Sequence, residues 1–467
     1  MPPAQPFSTG PDEPAPLTAG GWVWYGPLAP FDPRRVPPMA RQNYKRELTA
    51  ALFLPFVLVL FEGSVLSVLV RLGFEGKVND GLLNTMTAFI AVAPALANLS
   101  SFVWVRLAHG RHKVESLTRI MAVMLVVVLL IGVAPRNELG LILTGAAALG
   151  ARLCWSGILT LRSTIWRQNY PDGSRAQITG RFAMVLTLLL TGLTLLLGYL
   201  MNLSELTLRV AVPVGCVLGV VGLQNWRQVR VREHKALIDS EQSTHAYHAP
   251  SFNPAKLLQV LRDDKDFDRY MSAQMLLGVG NIMSMALLPI VLRERFETDY
   301  LQSLLVTSIL SIGVMPFAIP FWSRRLDAKH AVSYRAIHSW VFVASLSLLI
   351  AGIGLGSYPV LLVFALVRGF GFAGGALGWT LAHLDFAPPE QTTRYMGVHV
   401  TLTGLRGLIC WLSGVAIYEG LERVEPGAGV WVFVLSLGLT LGGAVAFVVL
   451  SRSMKRRGVI NQDGSRV

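Results

Sequence analysis

"RSTIWRQNYPDGSRAQITGR", residues 162–181, sets four arginines and a turn signal, "YPDG", between two long apolar stretches. A basic interruption of this kind suits a nucleic-acid-binding arm, a catalytic loop, or a connection that its apolar flanks require. Composition narrows the choice. The chain is 52% hydrophobic and only 15% charged, with a mean hydropathy of +0.50, so its apolar excess must be buried in lipid. The formal net charge of +13 is spread along the whole chain, whereas a nucleic-acid interface needs basic residues gathered on one face or domain. Cys154, Cys216 and Cys410 all lie inside apolar runs. They read as small buried hydrophobes, not as a disulfide framework or metal site.

Working outward from the opening stretch, runs of about 20 apolar residues, the length a membrane-crossing helix needs, occur twelve times. They fall near 48–70, 82–105, 117–135, 139–161, 179–202, 208–226, 270–292, 301–323, 334–355, 358–384, 395–418 and 429–451. With the N-terminus inside, 31 of the 41 lysines and arginines sit on or beside the inner loops and 7 on the outer side, leaving Arg152, Arg368 and Arg406 within spans. That bias predicts a multi-pass protein of a cell membrane, plasma or inner, with both termini cytoplasmic. Arg162, Arg167, Arg175 and Arg181 then anchor the inner loop between spans four and five. Residues 1–45 form a Pro-rich cytoplasmic tail with an aromatic patch and no signal-peptide core. Residues 46–226 are a first six-helix bundle, 227–268 a cytoplasmic linker, 269–452 a second six-helix bundle, and 453–467 a basic cytoplasmic tail. In the linker, Leu257, Leu258 and Leu261 share one face of a short helix. His234, His245 and His248 have no metal-ligand spacing.

The two halves repeat. "RLAHGRHKV" begins at Arg106 and "RLDAKHAV" at Arg325; Arg152 and Arg368 occupy matched spans; "YPDGSRAQITG" ends at Gly180 and "APPEQTTRYMG" at Gly397. The offsets are 219, 216 and 217. The pattern predicts an all-α membrane fold of two bundles related by a pseudo-two-fold axis, with a site at their interface near mid-membrane. In span count, topology, central loop and repeat, residues 46–455 resemble the major facilitator superfamily of secondary transporters. That resemblance implies gating loops after spans two, four, eight and ten, here Arg106, Arg111, Lys113, Arg175, Arg181, Arg325, Asp327 and Arg394. The family's usual loop aspartate is replaced by His109 after span two, while Asp327 is kept after span eight.

Ionisable groups inside spans usually mark a pathway. Glu62, in "LVLFEGSVL" of span one, has the chemistry of a proton carrier when held away from water. Asn281, near the matching position in span seven, is its expected polar partner. Arg152, Arg368 and Arg406 would hold an anionic group or exchange partners with Glu62. The predicted function is alternating-access transport of a small organic solute, with an anion fitting three cations against one carboxylate, coupled to protons through Glu62. A non-transporting sensor or assembly factor, and a membrane-embedded enzyme, stay open as alternatives; "HLD" at 383–385 is the one short cluster that could serve the latter. No cofactor, metal or nucleic-acid partner is expected. The chain reads as a monomer, and it carries no G-x-x-x-x-G-K-[ST] loop.

Overall fold

The computed structural model describes residues 29–467 apart from 205, 244–249, 251 and 299. The tail up to residue 28, with most of its aromatic patch, and His245 and His248 therefore lie outside the described residues. Eleven helices are long and apolar enough to cross a membrane, and a bent pair makes a twelfth. In chain order the spans are Pro38–Phe61 with Val65–Arg71, Asp80–Leu99, Lys113–Val133, Glu138–Asn169, Arg175–Met201, Thr207–Arg227, Lys265–Phe296, Gln302–Ala328, Ala331–Gly354, Tyr358–Asp385, Pro389–Val424 and Ala428–Arg456.

Polar side chains start several of these helices by accepting their otherwise unpaired first N–H groups. Asn79, Asn137 and Asp264 do so for spans two, four and seven. His112 and His330 do so for spans three and nine, 218 residues apart. The repeat therefore extends to helix caps. Three spans depart from regular helix. Span one bends by 45° about Glu62, whose backbone is extended (φ −61°, ψ 120°). Span two stops at Ser100 and resumes as the short helix Ser101–Ala108. Span eight contains a π-helical turn, Leu305–Ile309.

One apolar core lies wholly within residues 50–231 and two others mainly in the second half. A fourth joins the halves, bringing Tyr44, Trp166 and Phe182 against Ile319, Trp322 and Leu381. Span two packs on span eleven and span five on span eight. Glycine makes the first of these contacts close: a Cβ on Gly404 would fall 2.6 Å from the Ala95 carbonyl oxygen. Both described ends of the chain lie on the same side of the molecule, the side on which this seam is closed. Residues Val36 and Ala40 pack into the joining core, and Arg466 reaches Asp385 at the end of span ten.

The first helix begins at Arg41, so Tyr44, expected in the tail, belongs to packed helix together with Glu47. A buried carboxylate there is tolerable because Glu47 accepts from Trp166 Nε1 and from the Tyr170 hydroxyl, both at 2.6 Å.

Candidate functional site

The bend in span one creates the central site. At a helix break the flanking carbonyls leave the i→i−4 ladder, and Arg152 of span four takes one of them: its Nε donates to the Phe61 carbonyl oxygen at 3.0 Å. Its Nη2 donates to Glu62 Oε2 at 2.5 Å. The guanidinium is also 5.2 Å from the centre of the Phe61 ring. The pair is unevenly exposed, 9% for the Arg152 side chain and 43% for that of Glu62. Arg152 is thus fixed by backbone, while the carboxylate stays partly exposed.

Asn281 does not join this pair. Its amide donates to the Leu277 carbonyl oxygen of its own helix, because span seven runs unbroken where span one bends, so no backbone groups are freed for a cross-helix contact.

The other two intramembrane arginines also anchor on backbone. Arg368 Nη1 donates to the Thr307 carbonyl oxygen at 3.1 Å, within the π-helical turn of span eight where the ladder is interrupted. Arg406 Nη1 donates to the Gln274 carbonyl oxygen of span seven at 3.0 Å. Gly278, one turn on, makes that approach possible, since a Cβ there would fall 2.0 Å from the Arg406 guanidinium. Both arginines are more than nine-tenths buried, and the Nε of each has no partner among the described residues. Neither forms an ion pair among them.

Toward the side of the termini, the opening stretch becomes the end of span four, a turn, and the start of span five. Its N–H groups are what cross the seam. Asp327, at the end of span eight, accepts from the backbone N–H of Ala176 at 2.7 Å and of Gln177 at 3.0 Å, and from Gln177 Nε2 at 3.1 Å. A carboxylate placed at a helix N-terminus satisfies both unpaired donors and the helix dipole. Arg167 crosses the same seam, donating to the Ala387 carbonyl oxygen at 2.5 Å and to Thr392 Oγ1 at 3.1 Å. Ser101 Oγ donates to the Gly397 carbonyl oxygen at 2.7 Å, and Thr164 and Thr393 join hydroxyls at 2.7 Å.

The remaining expected gate residues take contacts within one half or with the linker. Arg175 folds back on the Tyr170 and Arg167 carbonyls and pairs with Asp172. Arg181 lies over the Tyr44 ring, and Arg325 over Phe321 of its own helix. Arg394 donates to Gln391 and to the Lys256 carbonyl oxygen in the linker. Arg106 and Arg111 are exposed. Lys113 is wholly buried, its ammonium 2.6 Å from Glu241 in the linker helix His234–Gln242.

Sequence reasoning missed Glu241, whose polar surroundings read as plain linker. It also missed the docking of the C-terminal tail. There Arg466 donates to Asp385 Oδ1 at 2.8 Å and to the Asp327 and Leu326 carbonyl oxygens at 2.7 and 3.1 Å. The His330 N–H donates to the Gly464 carbonyl oxygen, and Lys329 holds Asp463. The histidine of "KH" in "RLDAKHAV" was a usable signal, because it matches the cap His112.

Comparison with known proteins bears on the whole architecture. The sequence matches the family model described as Major Facilitator Superfamily over residues 51–410. No curated protein matches it. Solved structures similar in fold include three transporters. A bacterial homologue of the iron transporter ferroportin, outward-facing with soaked iron, superposes with a TM-score of 0.66 at 14% identity, over 87% of this chain and 99% of that one. For a human organic anion transporter the values are 0.60, 16%, 88% and 100%. For a proton:xylose symporter bound to 6-bromo-6-deoxy-D-glucose they are 0.64, 10%, 92% and 97%.

Proposed function

This chain belongs to the major facilitator superfamily, a family of multi-pass membrane transporters, and on that premise we propose that it moves a small organic anion by alternating access, coupled to protons through Glu62. The observation that carries the reading is the Arg152–Glu62 pair at the break in span one, with its arginine fixed and its carboxylate partly exposed.

An arginine does not give up its proton at physiological pH, so the titrating member of the pair is the carboxylate. When Glu62 is ionised it neutralises Arg152. When it takes a proton, Arg152 is left with a donor to share, and a solute anion is the partner that restores neutrality. Arg368 and Arg406, buried without carboxylates, add to the same preference for negative charge. The resemblance in fold to a human organic anion transporter and to a proton:xylose symporter agrees with both halves of the reading, each known by its name for one of them. The two bundles, residues 46–226 and 269–452, rock about the seam that Asp327 and Arg167 close. The excess of basic residues on the side of the termini makes that side cytoplasmic.

The test is uptake into liposomes of a panel of organic anions, with sugars, amino acids and lipophilic cations as comparators, with and without an imposed pH gradient. An anion accumulates under the gradient, and Glu62→Gln abolishes accumulation while leaving exchange of that anion across the membrane. Uptake indifferent to both the gradient and the substitution would overturn the coupling. Uptake confined to neutral or cationic solutes would overturn the substrate class.

A further inference from the structure

The loop after span two lacks the carboxylate that its counterpart after span eight carries. At the repeat offset of 219, the position matching Asp327 is Ala108, and the neighbouring His109 supplies no charge, since burial holds its imidazole below the ordinary histidine range despite the Glu241 charge beside it. The structure places a carboxylate there from elsewhere. Glu241 Oε2 accepts from the Gly110 N–H at 2.7 Å and from Lys113 Nζ at 2.6 Å, and Lys113 also donates to the Ala108 carbonyl oxygen at 2.7 Å. The loop wraps this pair closely enough to put Gly110 in the left-handed region, φ +64°. The side chains are 0% and 2% exposed.

We propose that Glu241, on the linker that joins the two bundles, is the positioning residue of the gate between spans two and eleven, a strap that holds this side shut and lets go when it opens. The inference rests on the alternating-access reading above. It follows from where the linker runs. The helix His234–Gln242 is tied to the first bundle by Glu241 and packs against the turn Pro389–Gln391 that opens span eleven. The next linker helix, Pro254–Asp263, is tied to the second bundle: the Lys256 carbonyl oxygen accepts from Arg394, and Asp264 just beyond it accepts from the Tyr395 hydroxyl. Between them lies the contact they flank. A Cβ on Gly397 would fall 2.4 Å from Val105, with Leu257 packed behind. Separating spans two and eleven therefore pulls the turn Pro389–Gln391 away from the helix His234–Gln242, and the Glu241 clasp that ties this helix to the first bundle takes the load. A buried ion pair suits a latch because breaking one side of it leaves an uncompensated charge, so the clasp is either made or fully undone.

The test reads opening directly and needs no known solute. With the native cysteines replaced, a cysteine at Thr401, nine-tenths buried against Ser101 at the seam, is alkylated by a membrane-impermeant maleimide applied from either side of reconstituted vesicles, and melting is followed in parallel. Glu241→Gln is expected to raise the labelling rate from the side of the termini about tenfold, the effect of roughly 1.4 kcal/mol on the closed state, with no rise from the opposite side. A lower melting temperature with unchanged labelling, or labelling raised equally from both sides, would overturn the proposal and leave Glu241 a plain structural anchor. If Glu241→Gln fails to fold, Glu241→Asp, which keeps the charge but shortens the reach, is read in the same way. A carrier shown to move no solute would still give one of these labelling patterns, so the two readings fail separately.

Discussion

The two halves of this molecule shut the same side by different means. After span eight the loop carries its own acid, Asp327, and spends it across the seam on the first turn of span five. After span two the loop carries no acid, borrows Glu241 from the linker, and spends it within the first half, on Gly110 and Lys113. The trailing segments differ to match. The linker brings a carboxylate to a cationic loop, whereas the C-terminal tail brings a cation, Arg466, to the carboxylate of Asp385 and to the carbonyls that end span eight. A duplicated fold thus keeps the position of each contact while reversing its sign. The lesson is that the gate is specified by where charge is needed, and which chain segment delivers it is free to change.

The largest effect is expected where the charge crosses between bundles. Asp327→Ala removes a buried carboxylate that accepts three N–H groups, and charge-assisted bonds of this kind contribute about 1.5 to 3 kcal/mol each when lost singly. The closed state should lose at least a tenfold advantage, seen as a longer population in distances measured by electron spin resonance between labels on exposed residues at the ends of spans five and eight. If the distance distribution is unchanged, the contact between spans five and eight is held by its apolar core alone, and the comparison with Glu241 collapses. A smaller effect is expected at the tail. Arg466 is 30% exposed, so solvent screens its pair with Asp385, and Arg466→Ala should cost about 1 kcal/mol. It should speed amide exchange at residues 460–466 and at His330 while leaving the seam distances as they were. A shift in those distances would make the tail a second gate strap, equal in kind to the linker.

Much of the architecture is legible in the sequence because it follows from pattern. Span count follows from apolar length, the two-fold relation from the offsets of Arg106 with Arg325 and Arg152 with Arg368, and the seam from the paired stretches ending at Gly180 and Gly397. The intramembrane arginines are legible for the same reason, since a cation in an apolar run stands out in the sequence. Their partners are not. Arg152, Arg368 and Arg406 bind backbone carbonyls, which every residue possesses. What selects Phe61, Thr307 and Gln274 is a break, a π-turn and a missing side chain at Gly278, three features of geometry with faint sequence marks. Symmetry pairs Asn281 with Glu62, and it fails there because span one bends and span seven runs unbroken. Glu241 was invisible for a further reason: in a polar stretch a glutamate carries no signal until folding buries it.

The smallest effect concerns the matched histidine caps, and it separates the two straps by pH. His330 Nδ1 accepts from the Val332 N–H at 3.2 Å and starts span nine, beside the docked tail. Burial, ahead of the attraction of Asp385, holds its imidazole below the ordinary value of 6.5. A protonated ring cannot accept that bond, and a folded value below the unfolded one means that stability is fully present above about pH 6.5 and is lost as the pH falls through the lowered folded value. Losing a helix cap costs about 1 kcal/mol. Between pH 7.5 and 5 the amide exchange of residues 460–466, corrected for its intrinsic pH dependence, should therefore rise severalfold. His330→Asn, which keeps a capping acceptor that does not titrate, should remove that rise. In the same sample His330→Asn should leave the exchange of residues 108–113 as it was, because that segment depends on the Lys113–Glu241 clasp and on its own histidines, the cap His112 and the buried His109. A change in the pH response of residues 108–113 on His330→Asn would mean that the two straps share one titrating group, and the distinction between a borrowed acid and a docked cation would then be one of sequence and not of mechanism.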